Sequence, residues 1–362
     1  MSGGEPFFEF RGVYECGWNL FIKKGYSDKA EDVGVNYAYI DHLAQAGINR
    51  LIVFWANGPG YRKAWEGACG YAHERGVKLI KGLYGFCGGG PEHEMNEPGV
   101  PERLLRPSGS GAKNALCPFE PEAREWMKAA LADRLYPSID GISIEPAQEI
   151  GKNCACPRCE ALLPYGWEPF AINLIAAEIK KIKGDAEIIL HMHMNPDLGD
   201  ARILNCAAAM RGLDAGVRHI ISWGVDDDAR LALYLSADTR FEHFGKLGRM
   251  RLFPGGAKPE AGTAYERAAS VFDWCRASAD AGKRGYVFDY RIFGGSERQG
   301  CEGRLPVTRI TGRLPASLAL IGMAMREPRL SRGAQREFLD SLRAECFWDI
   351  DDPELYYRGT AS

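Results

Sequence analysis

The sequence lacks any run of about 18 uninterrupted apolar residues, so no part of it reads as a membrane-spanning helix. It also lacks a basic surplus: 45 Lys and Arg against 48 Asp and Glu leave a net charge of −3, the wrong sign for a nucleic-acid surface. The first residues, Met1-Ser2-Gly3-Gly4-Glu5-Pro6, carry neither the basic nor the apolar region of a secretory leader. Missing too is the Gly-rich phosphate turn that a dinucleotide-binding sheet places after its first strand; that position reads Glu15-Cys16-Gly17-Trp18-Asn19. Gly88-Gly89-Gly90 follows a later strand without a helix start, and is expected to be a solvated loop. These absences set aside membrane proteins, nucleic-acid binders and Rossmann sheets.

What is present is an ordinary soluble composition, with 46% apolar residues and enough chain, 362 residues, to bury a large core. Eleven cysteines, an odd number scattered along the chain, suit reduced thiols in the cytoplasm better than a disulfide framework. The composition also permits a homo-oligomer.

Eight short apolar runs alternate with helical segments. The runs are Phe8 to Tyr14, Arg50 to Trp55, Lys78 to Tyr84, Ile139 to Pro146, Glu187 to Met194, Val217 to Trp223, Arg249 to Phe253 and Gly285 to Tyr290. Helices are expected from Tyr37 to Gly47, Tyr61 to Gly76, Glu122 to Leu135 behind Pro121, Phe170 to Gly184 and Ala201 to Gly216. Others are expected from Asp228 to about Phe244, from Tyr265 to Gly282 and from Leu314 onward. Strand–helix alternation of this length predicts a single-domain α/β fold, a (β/α)8 TIM barrel over 8–345 with a C-terminal extension over 346–362. Two long loops break the rhythm after strands 3 and 4, at 86–119 and 149–168. Loops of that length are usually functional, and these are expected to wall a substrate cleft.

In such a barrel the chemistry lies where the strands end. The fourth run closes on Ile144-Glu145-Pro146, where Pro146 forbids the next ladder hydrogen bond and leaves Glu145 at the tip. A carboxylic acid there can protonate a leaving oxygen, and Glu149 follows nearby. Glycoside hydrolysis needs a second carboxylate. Candidates are Asp226 and Asp227 after the sixth run, Asp228 being expected to cap the next helix, and Asp289 in the eighth, sharing a face with Arg291. Glu15 ends the first run. Trp18, Trp55, Tyr84, Trp223 and Tyr290, with Tyr14 and Phe86, gather at the same ends and could stack on a sugar ring. In His191-Met192-His193 both histidines share one strand face, able to hold substrate or, with carboxylates, a divalent ion.

Cys154-Ala155-Cys156-Pro157-Arg158-Cys159 puts three thiols within six residues. A tetrahedral zinc site needs a fourth, which Cys117 or Cys87 in the other long loop could supply, giving a structural site that pins the two loops. Three reduced cysteines packed around a turn is the plainer alternative.

Arg11-Gly12-Val13-Tyr14-Glu15 resembles the opening of family 20 hexosaminidase and family 67 α-glucuronidase barrels. Asn114 to Arg124, then Asp140-Gly-Ile-Ser-Ile-Glu145, then the CxCxxC segment, are similar to a bacterial group of barrels related to those families. The resemblance implies that Arg11 holds sugar hydroxyls, Glu145 is the acid and Asp226 or Asp227 the base. Ile144 stands where family 20 has an aspartate, and no glutamate closes Arg251-Leu-Phe-Pro-Gly-Gly. Substrate-assisted cleavage of an N-acetyl sugar and a two-glutamate retaining mechanism are therefore not expected. The expectation is a glycoside hydrolase on a sugar or uronic-acid conjugate that needs no cofactor for catalysis, any zinc being structural. The alternatives are a metal-dependent sugar isomerase or epimerase using His191, His193, Glu145 and Asp289, and a catalytically silent carbohydrate-binding barrel.

Overall fold

A computed structural model describes residues 5–15, 30–53, 62–86, 100–109, 111, 113–144, 153–163, 166–193, 210–223, 241–245, 264–289, 312–348 and 350. Eight parallel strands form one sheet: β1 (Phe10–Glu15), β2 (Arg50–Val53), β3 (Lys78–Leu83), β4 (Gly141–Ile144), β5 (Glu187–His193), β6 (Val217–Trp223), β7 (Phe241–Gly245) and β8 (Gly285–Asp289). Their order is β1-β8-β7-β6-β5-β4-β3-β2, a closed barrel in which each strand neighbours the next in sequence. The (β/α)8 expectation holds. By contacts the chain divides into two compact units, residues 80–242 with 57–59, and residues 1–56, 60–79 and 243–362.

The unit with both chain ends contains β1, β2 and β8, with Gly12 opposite both Arg50 and Val287. Helices α1 (Ala30–Ala46), α2 (Arg62–His73), α5 (Ala264–Asp280), α6 (Ala316–Arg326) and α7 (Arg332–Glu345) belong to it. The glycine stops behave as expected: Gly47, Gly76 and Gly282 follow their helices with φ of 79°, 70° and 73°. Helix α6 is buried nearly all round, because it lies on β8 and is itself packed by α1, α5 and α7. It approaches α1 so closely that a Cβ on Gly322 would lie 2.0 Å from the Ala46 carbonyl oxygen. Helix α7 is one-sided, burying Gln335, Leu339 and Leu342, and Ser331 caps it by accepting from the Ala334 amide at 3.3 Å.

The 80–242 unit contains most of β3, with β4, β5 and β6, and two main helices, α3 (Pro121–Arg134) and α4 (Trp167–Ile182). All four residues of β4 are buried, as a strand covered on both faces must be. Gly141 opens that strand where a Cβ would sit 2.2 Å from the Glu187 carbonyl oxygen, so no larger residue fits beside β5. Pro121 occupies the first turn of α3, where its missing N–H costs nothing.

Two expected helices are corrected. The seventh strand is Phe241–Gly245, inside the segment read as a helix from Asp228 to Phe244; Arg249 to Phe253 lies outside the described residues. The apolar residues before 241 carry a helical period, but His243-Phe244-Gly245 gains more from ladder pairing with β8 than from extending a helix. The helix expected from Ala201 to Ala215 does not reach its end: Met210–Gly212 is a 3₁₀ turn, and the earlier residues are outside the described ones.

The long segment after β3 is not structureless. It holds a 3₁₀ turn at Glu102–Leu104 and a two-stranded antiparallel ribbon, Arg106–Pro107 against Lys113–Ala115. The segment after β4 holds a short helical turn, Pro157–Glu160.

Candidate functional site

The register within the 80–242 unit sets the level of its strand ends. Leu83 pairs with Ile144, Ile144 with Leu190, and Leu190 with Ile220. One residue further along each chain come Tyr84, Glu145, His191 and Ile221, and His193 pairs with Trp223 above them. Tyr84 is half-buried. In the other unit Tyr14 pairs with Asp289, and Glu15 with Val53. Glu145, Glu149, Trp18, Trp55, Asp226, Asp227, Tyr290 and Arg291 lie outside the described residues.

Three expectations need correction. Arg11 does not reach the strand ends. Its Nε donates to the Gly47 carbonyl at 2.6 Å and its Nη1 to the Phe8 carbonyl, both where strands begin. The Asn49 side chain accepts from its amide at 2.9 Å. Burial, then the charges of Arg50 and Arg326, bring the guanidinium down to about 10. It ties β1 to the end of α1. Tyr14 and Phe86 are interior, 0% and 2% exposed, and offer no open platform for a sugar ring.

The site with the fullest geometry is the sulfur cluster. Cys117 ends the segment after β3, and Cys154, Cys156 and Cys159 lie in the segment after β4; their four Sγ atoms all fall within 4.8 Å of one another. Cys117 Sγ is 3.7 Å from Cys156 Sγ and 3.9 Å from Cys159 Sγ, and all four thiols are free. The backbone assembles them. Ser108 bridges to Cys154, the Ala155 amide donates to the Pro107 carbonyl at 2.9 Å, and the Gly109 amide to the Asn153 carbonyl at 3.2 Å. Arg106 grips Glu120 through two bonds of 2.7 Å, Nε to Oε1 and Nη2 to Oε2, which fastens the ribbon to the start of α3. Of the two partners open in sequence, Cys117 joins the cluster, and Cys87 lies outside the described residues.

The electrostatics favour charge on one of these sulfurs, Cys117. Hydrogen bonds from the Cys154 and Cys159 thiols bring Cys117 down to about 2. The same contact with Cys117 pushes Cys154 up to about 12 and Cys159 above the usual thiol range. One thiolate thus makes a second costly while no cation is present. Arg106 lies close enough to feel the charges of Cys117 and Cys154.

Two neighbours escaped the sequence reading. The Trp167 indole N–H is buried without a hydrogen-bond partner, and lies where it would favour a negative charge on Cys159. Glu168, in the first turn of α4, keeps some solvent contact, yet burial pushes its carboxyl up to about 8. Their signal was faint: the pair sits in a long loop at the start of a helix, where a tryptophan reads as core and a glutamate as first-turn charge.

No family model matches the chain, and no curated protein matches its sequence. Solved structures match its fold. A β-N-acetylhexosaminidase is similar over 98% of this chain and 81% of its own, with a TM-score of 0.55 and 12% identity. The Eubacterium rectale protein Amy13B is similar over 90% of this chain and 80% of its own, with a TM-score of 0.50 and 9% identity. At these identities the likeness establishes the barrel fold.

Proposed function

We propose that the protein is a glycoside hydrolase. The observation that carries this reading is the register of β4, β5 and β6, whose last shared level, Ile144–Leu190–Ile220, is followed in sequence by Glu145 and His191. Parallel barrels keep their chemistry at this end of the strands. The fold likeness to a β-N-acetylhexosaminidase supports the same class.

In this mechanism Glu145 acts as the general acid, giving its proton to the glycosidic oxygen as the bond to the anomeric carbon breaks. Asp226 or Asp227, after β6, is the second carboxylate, with Asp289 at the end of β8 as the other candidate. It either attacks the anomeric carbon or takes a proton from the attacking water. A carboxyl separation of about 5–5.5 Å gives retention and about 6.5–9.5 Å inversion. His191, His193 and Trp223 hold the sugar, and Glu15, Glu149, Trp18, Trp55, Tyr84, Tyr290 and Arg291 are further contacts. Hydrolysis needs no resident cofactor.

The test is hydrolysis of an aryl-glycoside panel by the purified chain and by Glu145→Gln. We expect activity on at least one glycoside, reduced by about 10²–10⁴-fold in the variant with the circular dichroism unchanged. No hydrolysis by the parent protein, or full activity in the variant, overturns the reading. A reaction on free sugars, lost on mild chelation and restored by manganese or magnesium, would instead identify the isomerase alternative built on His191, His193, Glu145 and Asp289.

A further inference from the structure

We propose that Cys117, Cys154, Cys156 and Cys159 bind one zinc ion as four thiolates, and that this ion clamps the segment after β3 to the segment after β4. The inference stands apart from the hydrolase reading, since it uses neither Glu145 nor any sugar contact.

Distance comes first. Zinc–sulfur bonds of about 2.3 Å in a tetrahedron put neighbouring sulfurs about 3.8 Å apart. The Cys117 contacts, 3.7 and 3.9 Å, sit on that edge length, and all four sulfurs lie within 4.8 Å. A disulfide would need about 2.05 Å, and the four thiols are free. Four ordinary thiols, three of them buried, have no reason to converge on one point, because a weak S–H donor gains little from a second sulfur.

The surroundings also fit. Trp167 is 2% exposed and its indole N–H has no partner; directed at a metal-bound Cys159 sulfur it would complete the outer hydrogen bonding that such ligands require. Arg106, held by Glu120, lies within electrostatic reach of Cys117 and Cys154. As each sulfur binds the ion its proton passes to solvent.

Four protein ligands fill a tetrahedral shell, so no position stays open for water and the site is structural. A sulfur-only set also excludes magnesium, calcium and manganese, which prefer oxygen. Iron fits the same geometry and is the competitor the experiment must separate.

The experiment uses the full chain, purified without chelators and analysed for metals by mass spectrometry. We expect one equivalent of zinc per chain. A mercurial thiol reagent should release it in step with four thiols, as read by a zinc-sensitive dye. Cobalt exchanged into the site should show the sulfur-to-metal charge transfer and visible bands of a tetrahedral thiolate centre. Cys117→Ser and Cys159→Ser should lose zinc, while Cys275→Ser, a core thiol outside the cluster, keeps it. Should the cluster variants fail to fold, the mercurial titration of the parent protein decides alone. Iron in place of zinc, no metal after growth with added zinc, zinc retained in both cluster variants, or disulfides among the four cysteines would each overturn the proposal.

Discussion

The two compact units use the same strand–helix alternation but fasten their outer segments in different ways. In the unit carrying both chain ends, helices lock by close approach, as Gly322 does against α1, and by exposed ion pairs. Arg329 reaches Asp280 at 2.9 Å and Arg332 reaches Asp273 at 2.6 Å. In the 80–242 unit surface pairs exist as well, Lys180 with Asp214 among them, but the loops after β3 and β4 converge on four sulfurs. Charge pairs on a surface act separately and yield to salt. A shared ion acts as a unit, since losing one ligand loosens every segment it holds. With the proposed ion in place, the first region should degrade gradually and the second in a single step.

Stripping the proposed ion should have the largest effect. A cross-link spanning the 39 residues between Cys117 and Cys156 removes loop entropy from the unfolded chain equivalent to about 4 kcal/mol. Hydrogen exchange before and after mercurial treatment should show amides of α3 and α4 losing protection while α6 and α7 keep theirs. Equal loss in both units would break the comparison.

Next comes Gly322→Ala. The added methyl meets backbone, not a movable side chain, and overpacking of this kind costs about 1–3 kcal/mol. Thermal unfolding should report it as a clear fall in midpoint, without change in bound metal.

Glu168 offers a pH test. Its native carboxyl titrates at about 8 against an ordinary 4.5, so between those values the folded chain keeps a proton that the unfolded chain has released. Stability should fall as pH rises through that window and stay level outside it. Glu168→Gln should remove the slope, its advantage in melting temperature growing from near zero at the acid end to its maximum above the upper value. A constant difference across the range would sink this assignment.

Arg329→Ala should matter least. The pair with Asp280 is more than half exposed on both sides and contributes at most about 1 kcal/mol. Its cost, read from denaturant midpoints, should disappear in high salt; a larger, salt-resistant loss would mean that packing of the Arg329 guanidinium over Phe7 matters more.

Much of the fold was legible because its signals are local. Gly47, Gly76 and Gly282 ended helices through a left-handed φ that other residues resist, and apolar runs located seven of the eight strands near their observed positions. β7 was missed because a helical period before it masked a five-residue strand whose stability comes from its neighbour. The candidate site was less legible. Arg11 carried the right chemistry to the wrong end of the barrel, since sequence does not say which carbonyls lie within reach of a long side chain.

By itself the sequence determined the alternation of strands and helices, the two long loops and the close spacing of Cys154, Cys156 and Cys159, because each depends on residues a few positions apart. Only the tertiary structure decided that Cys117 completes the four, that Trp167 turns a buried donor toward them and that Arg11 serves the opposite end of β1. Those outcomes follow from strand register and backbone bridging across tens of residues, where the choice of partner is made by packing and local pattern carries no information.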